Sequence, residues 1–264
     1  MGWIQIAEAF SAARSRGEGA LVAYLMGGDP DPRRSPEYLL AAAAGGADVL
    51  EIGIPFSDPV ADGSTIQRAG VRALRAGTTP EAVLGVAAAV RREVNVPLVL
   101  MGYYNPILRF GEEEFVAAAA ECGVDGLIVP DLPPEETGPL REATERHGLG
   151  LVFLVTPETQ GDRARRIATS TRGFLYLVSR YGTTGERRGL PPDIMGLIGR
   201  FRDVADLPLA VGFGISRPEH VAAVIRAGAD GAVVGSRLVR EVEAGARPGE
   251  LEATVRALKA ATAL

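Results

Sequence analysis

Ala227-Gly228-Ala229-Asp230-Gly231-Ala232-Val233-Val234-Gly235-Ser236 contains the pattern that decides the fold. A helical stretch stops at a glycine, the residue that supplies a left-handed helix cap. A short apolar run follows, and a second glycine with a serine opens the next turn. Near-versions of the phrase stand at Ala44-Gly45-Gly46-Ala47-Asp48 and Cys122-Gly123-Val124-Asp125-Gly126. Outward from these, apolar runs recur at residues 20–26, 48–53, 97–101, 126–130, 150–155, 173–178, 208–212 and 231–235. Most are nearly continuous rather than alternating, which is how strands buried on both faces of a parallel sheet read. Between them lie Ala-rich amphipathic stretches, among them residues 36–44, 80–93, 112–122, 135–147, 162–170 and 218–227, with caps expected at Gly45, Gly123, Gly148 and Gly228. Eight βα units in 264 residues predict a single (β/α)8 TIM barrel covering residues 1–264, since such barrels typically take roughly 250 residues. A doubly wound open sheet is the alternative; it would more often carry fewer strands and a glycine-rich turn after the first. An extra N-terminal helix over residues 3–15 is expected to cover the barrel floor, and residues 237–263 to form one or two closing helices.

The composition, 47% apolar and 23% charged, is that of an ordinary globular chain. A net charge of -5 gives no general attraction to nucleic acid or to an acidic membrane surface. The densest basic spots, Arg163, Arg165 and Arg166, then Arg187 and Arg188, read as solvated helix faces and a loop. The single cysteine, Cys122, cannot form an internal disulfide and reads as a core thiol, which suits a reducing compartment. The N-terminus lacks a basic segment followed by an apolar one, and no apolar run reaches the roughly 20 residues of a membrane span. A cytoplasmic protein is expected. His147 and His220 fall on helices away from the strand tips, and no His, Cys or Glu cluster has metal-ligand spacing, so no metal is expected.

In a barrel the chemistry lies at the C-terminal strand ends and the loops after them. The second strand ends Val49-Leu50-Glu51-Ile52-Gly53-Ile54-Pro55, and alternation puts Glu51 on one face with Val49 and Gly53. If that face points inward, burial raises the carboxyl pKa and suits Glu51 to proton transfer near neutral pH; the other reading is a buried, paired structural acid. The loop that follows carries Asp58 and Asp62, which on their own read as a turn former and as a turn or helix cap. Gly212-Phe213-Gly214-Ile215-Ser216 and Val233-Val234-Gly235-Ser236 end the seventh and eighth strands, with glycines that let backbone N–H groups approach an anion and a serine that opens a helix facing it. With Ser179 to Gly185 after the sixth strand, they predict a phosphate-bearing substrate. Tyr103, Tyr104 and Asn105 could line an aromatic pocket. Asp131 and Tyr176 also lie at tips, and Gly27-Gly28-Asp29-Pro30 reads as a turn.

The run Glu51-Ile52-Gly53-Ile54-Pro55-Phe56-Ser57-Asp58-Pro59-Val60-Ala61-Asp62-Gly63 closely resembles the signature of the tryptophan synthase alpha subunit family. The resemblance extends over the chain, through Gly28-Asp29-Pro30, Tyr104-Asn105-Pro106, Pro130-Asp131-Leu132-Pro133 and Gly212-Phe213-Gly214-Ile215-Ser216. It implies retro-aldol cleavage of indole-3-glycerol phosphate to indole and glyceraldehyde 3-phosphate. It also implies Glu51 as general acid/base and Asp62 as the carboxylate on the indole N–H. Tyr103 and Tyr176 resemble substrate-pocket residues, and Gly185, Gly214, Gly235 and Ser236 resemble phosphate-binding positions. No cofactor is implied in this chain; pyridoxal phosphate is expected only in a partner beta subunit, in an alpha2-beta2 heterotetramer through which indole passes by a tunnel. The loops holding Asp62 and residues 180–189 would act as lids. Ser64 stands where the family commonly has Pro, Thr183 where Val is common, and Met26-Gly27 where Thr-Ala is common. Tyr181 is bulky beside Thr183. These departures bear on lid movement and leave the reacting groups in place. A self-sufficient lyase releasing free indole, a non-catalytic activator of a beta subunit and an unrelated phosphate-binding isomerase are the competing readings. The presence of both acids argues against the second, and the Glu51–Gly63 run against the third.

Overall fold

The computed structural model describes residues 2–178 and 193–264. Its strands are β1 (Ala20–Met26), β2 (Val49–Gly53), β3 (Leu98–Met101), β4 (Gly126–Ile128), β5 (Gly150–Val152), β6 (Leu154–Val155), β7 (Leu175–Val178), β8 (Leu209–Gly212) and β9 (Gly231–Val234). All pair in parallel, in the order β5-β4-β3-β2-β1-β9-β8-β7-β6. The two ends of that order are pieces of one run, parted only by Phe153. β5 pairs with β4 and β6 with β7, and the Phe153 carbonyl accepts the Tyr176 N–H at 3.2 Å. The ring closes through this interrupted run, so the fold is a (β/α)8 barrel rather than an open sheet. The run read as one strand over residues 150–155 accounts for the ninth segment. Every residue of β1 and β2 is buried, which is why those runs carry no polar alternation.

The helices are α1 (Trp3–Ser15), α2 (Ser35–Ala44), α3 (Ser64–Arg75), α4 (Pro80–Glu93), α5 (Tyr104–Phe110), α6 (Glu112–Glu121), α7 (Gly138–His147), α8 (Gly161–Ser170), α9 (Ile194–Arg202), α10 (Pro218–Arg226), α11 (Ser236–Glu243) and α12 (Pro248–Ala260). α4 shows how local chemistry sets a boundary. The Thr79 side chain accepts the Ala82 N–H at 3.3 Å, and Pro80, with φ pre-set, takes the first helical position. Three expectations need correction. The stretch 135–147 is broken into a 3-10 turn over Pro134–Glu136 and then α7. Gly45 has φ -72°, and the left-handed residue after α2 is Gly46, at φ 98°. Cys122 is half-buried at the end of α6, packed on the core rather than within it.

α1 seals the barrel floor. A methyl on Gly126 would meet the Ile6 side chain at 2.9 Å, one on Gly150 would meet Trp3 at 2.8 Å, and one on Gly231 would meet Phe10 at 2.7 Å. Glycine at the first position of β4, β5 and β9 is therefore the space into which the helix packs. The aspartates of the repeated phrase have a common task there. Asp48, Asp125 and Asp230 each donate their own N–H, at 2.8 Å, to the carbonyl of Leu21, Leu98 and Leu209 respectively. Each carboxylate then accepts the N–H of that same leucine, at 2.8, 3.0 and 2.7 Å. Each also holds a cation: Lys259 at 2.7 Å, Arg91 at 2.6 Å and Arg202 at 2.6 Å. The acid staples the start of one strand to the start of its neighbour, and the ion pair offsets the cost of burying it.

Candidate active site

At the opposite end of the barrel, Glu51 projects from β2 and is 1% exposed. Its register partners are Tyr24 on β1 and Val99 on β3. Neither carboxylate oxygen of Glu51 has a hydrogen-bond partner. Burial, and then the charge of Asp62, push its pKa from 4.5 to about 8. Asp62 lies half-buried in the loop between β2 and α3. Burial raises its pKa to about 6, against the lowering effect of a hydrogen bond from Tyr103. The capping reading of Asp62 does not hold: Gly63 caps α3, without a side-chain bond. The loop is held over the mouth by Tyr103, whose hydroxyl accepts the Ala61 N–H at 2.9 Å and whose ring lies 5.4 Å from that of Phe56. Asp58 is exposed and bonded to the neighbouring Ser57 hydroxyl, as a turn former would be.

Two buried tyrosines face this pair. Tyr176 on β7 occupies the space that a side chain at Gly212 would need, and Tyr24 does the same over Gly53. The Tyr24 ring also lies 3.1 Å from where a side-chain carbon on Gly235 would stand. Both phenols have pKa values raised well above the ordinary, first by burial and then by the charges of Glu51 and Asp62. An aromatic column runs from floor to mouth: Phe10 to Phe174 at 5.3 Å, Phe174 to Tyr176 at 6.0 Å and Tyr176 to Phe213 at 6.0 Å. Phe213 has φ 66°, a conformation that a bulky residue rarely adopts, and Gly214 follows at φ 84°. Gly235 precedes α11, whose N-terminus begins at Ser236 with no side-chain cap and no acid in its first turn. Its first N–H groups and the positive end of its dipole are thus suited to an anion.

Tyr24 is the residue that sequence reading passed over. Its only local signal was an aromatic ring near the end of an aliphatic strand; counting register from Glu51 would have placed it. Tyr104 and Asp131 serve each other instead of the cleft: Asp131 accepts the Tyr104 N–H at 3.0 Å, and the Tyr104 hydroxyl donates to Glu112 at 2.9 Å. Asn105 is exposed on α5. Met26 fills space between Gly53 and Gly70. Gly185, with Ser179, Arg180, Tyr181, Thr183, Arg187 and Arg188, lies outside the described residues. Among the described residues, no three His, Cys, Asp or Glu side chains gather as metal ligands would, and no helix is long and apolar enough to cross a membrane.

Fold and site together define a (β/α)8-barrel enzyme with an acid pair in its mouth. The family profile described as tryptophan synthase alpha chain matches residues 10–263. The tryptophan synthase alpha chain of Methanosarcina mazei is 50% identical over 256 residues, covering 97% of this chain and 93% of its own. That of Carboxydothermus hydrogenoformans is 48% identical over 239 residues, covering 90% and 89%. A chain in the structure of Mycobacterium tuberculosis tryptophan synthase superposes with a TM-score of 0.91 at 35% identity, covering 98% of each. The chain belongs to the tryptophan synthase alpha chain family.

Proposed function

We propose that Glu51 and Asp62 divide the proton chemistry of indole-3-glycerol phosphate cleavage, the lyase reaction of this family, between them. The observation that carries the assignment is the buried Glu51 carboxyl, 1% exposed with neither oxygen partnered, beside the half-buried Asp62; burial raises both pKa values, to about 8 and about 6. At pH 7 Glu51 holds a proton and Asp62 does not, so one is a donor and the other an acceptor. Glu51 gives its proton to C3 of the indole ring, and the positive charge that results is shared with the ring N–H. Asp62 accepts a hydrogen bond from that N–H and stabilises the charge. The side-chain hydroxyl next to C3 then returns a proton to the Glu51 carboxylate. Its O–H electrons become the aldehyde C=O, and the electrons of the breaking C–C bond restore the neutral indole. Indole and glyceraldehyde 3-phosphate leave, and Glu51 is protonated again. Tyr103 and Tyr176 flank the ring, and Gly214, Gly235 and Ser236, with Gly185, hold the phosphate.

The reading takes residues 1–264 as one domain in the cytoplasm, with no cofactor of its own. Pyridoxal phosphate belongs to the beta subunit with which the chain forms an alpha2-beta2 assembly, and indole is passed to that subunit. Indole release measured against pH tests the assignment. The rate should be bell-shaped, falling below about pH 6 as Asp62 gains a proton and above about pH 8 as Glu51 loses one. Asp62→Asn removes the charge that helps to raise the Glu51 pKa, so the slow residual activity should lose its alkaline limb at lower pH. A flat profile would remove both acids from the proton transfers. Adding the beta subunit should accelerate release; indifference to it would favour a stand-alone lyase.

A further inference from the structure

Away from the reacting groups, four charged residues from three βα units form one chain of hydrogen bonds. Asp29, in the loop after β1, is 4% exposed. Arg72 on α3 grips it with two bonds, Nε to Oδ1 at 2.9 Å and Nη2 to Oδ2 at 2.8 Å. The remaining arm of Arg72 reaches Oε1 of Glu243, the last residue of α11, at 3.0 Å. Arg68, one turn earlier on the same face of α3, grips Glu243 with two more bonds, at 2.7 and 2.9 Å. Two-pronged arginine–carboxylate pairs fix the planes of both groups, so they constrain angle as well as distance. Arg68 is half-exposed, and an ion pair so open to water adds little stability. What the chain of bonds does supply is a fixed relation between two helices.

Those helices carry the two ends of the site. α3 begins two residues after Asp62, and α11 begins at Ser236. A helix is stiff, so a hold on residues 68 and 72 of one and residue 243 of the other sets where both N-termini stand. We infer that Arg72 and Arg68, through Asp29 and Glu243, act as a strut that spaces Asp62 from the phosphate-facing end of α11, with Arg72 as the positioning residue. This rests on the assignment above of Asp62 to the indole end of the substrate and α11 to its phosphate end. Apolar packing seats α3 through Ile66, Ala69 and Ala73 and α11 through Leu238, Val239 and Val242; the polar chain adds a directional tie between the two helices. A substrate anchored at one helix and reacting beside the other is sensitive to the spacing. A substrate without the phosphate anchor can shift to suit Asp62 and is not.

The test compares indole release from indole-3-glycerol phosphate and from indole-3-glycerol, using the full-length native chain, Arg72→Lys and Glu243→Ala. Lysine keeps a charge beside Asp29 but cannot make the two-pronged bond. Glu243→Ala leaves the buried Asp29–Arg72 pair intact and so keeps a folded variant in the comparison. With the phosphorylated substrate, kcat should fall about tenfold in both variants and KM should stay within roughly threefold, the mark of misalignment rather than lost binding. With indole-3-glycerol both variants should match the native rate within about twofold. Equal slowing on both substrates would overturn the strut in favour of general damage to the barrel, and so would no slowing on either. If the native chain itself handles the two substrates alike, the phosphate assignment fails, a result read from the native chain alone.

Discussion

Asp125 on the barrel floor and Glu51 in its mouth are almost equally buried, at 0% and 1% exposure. Asp125 accepts the N–H of Gly2 at 2.8 Å, the N–H of Leu98 at 3.0 Å and an Arg91 bond at 2.6 Å. Glu51 accepts none. The floor meets every demand that a buried acid makes and becomes a rigid joint. The mouth leaves the demand open, which a folded chain tolerates only where something else answers it. Burial by itself therefore does not set Glu51 apart from Asp125; burial without a partner for either oxygen does.

Exchanging the fates of the two acids is the sharpest way to break this comparison. Glu51→Gln should cut indole release about 100- to 10,000-fold, the usual worth of a general acid–base group, while its circular dichroism matches the native chain. Near-normal turnover in that variant would remove Glu51 as the proton donor. Asp125→Ala should do the reverse. It strands the partly buried Arg91 and two backbone donors, so stability should fall by about 3–5 kcal/mol, with turnover per folded molecule unchanged. A loss of turnover without a loss of stability would place Asp125 in the chemistry.

A smaller effect sharpens the contrast. The folded pKa of Glu51, about 8, lies above the ordinary 4.5, so the folded state holds a proton that the unfolded chain gives up. Glu51 should therefore cost stability increasingly as pH rises from 4.5 to 8 and level off above that. Glu51→Gln removes this dependence. The variant should gain on the native chain across that window by on the order of a few kcal/mol, followed by urea unfolding at a series of pH values. A gap that stays constant with pH would mean that the folded and unfolded states hold the Glu51 proton alike.

Much of this was legible along the chain because the signals are local. A run buried on both faces of a sheet must be apolar throughout, and a helix must end on a residue that tolerates its cap. Strand and helix positions at residues 20–26 and 80–93 could thus be read before any contact was known, and the last strand, read as 231–235, to within one residue of β9. The family resemblance, carried by the Glu51–Gly63 run, brought Glu51 and Asp62 together in the same way. The repeated aspartates were legible only as punctuation. Their partners, Leu21, Leu98 and Leu209, stand 27, 27 and 21 positions away, and no local pattern announces a bond across that separation. Tyr24 and the Asp29–Arg72–Glu243–Arg68 chain were missed for the same reason: each acquires its role from a neighbour in another βα unit.

The sequence by itself determined the eightfold rhythm of strand and helix, the floor helix and, with the resemblance, the two acids. Periodicity, capping and composition are properties of adjacent residues. Only the tertiary structure decided that the fifth run is interrupted at Phe153 where the ring closes, that Asp62 faces the cleft instead of capping α3, and that Glu51 lies buried without a partner. Proton affinity in a protein depends on which charges and dipoles surround a group and how much water is excluded, and those are set by closure of the barrel.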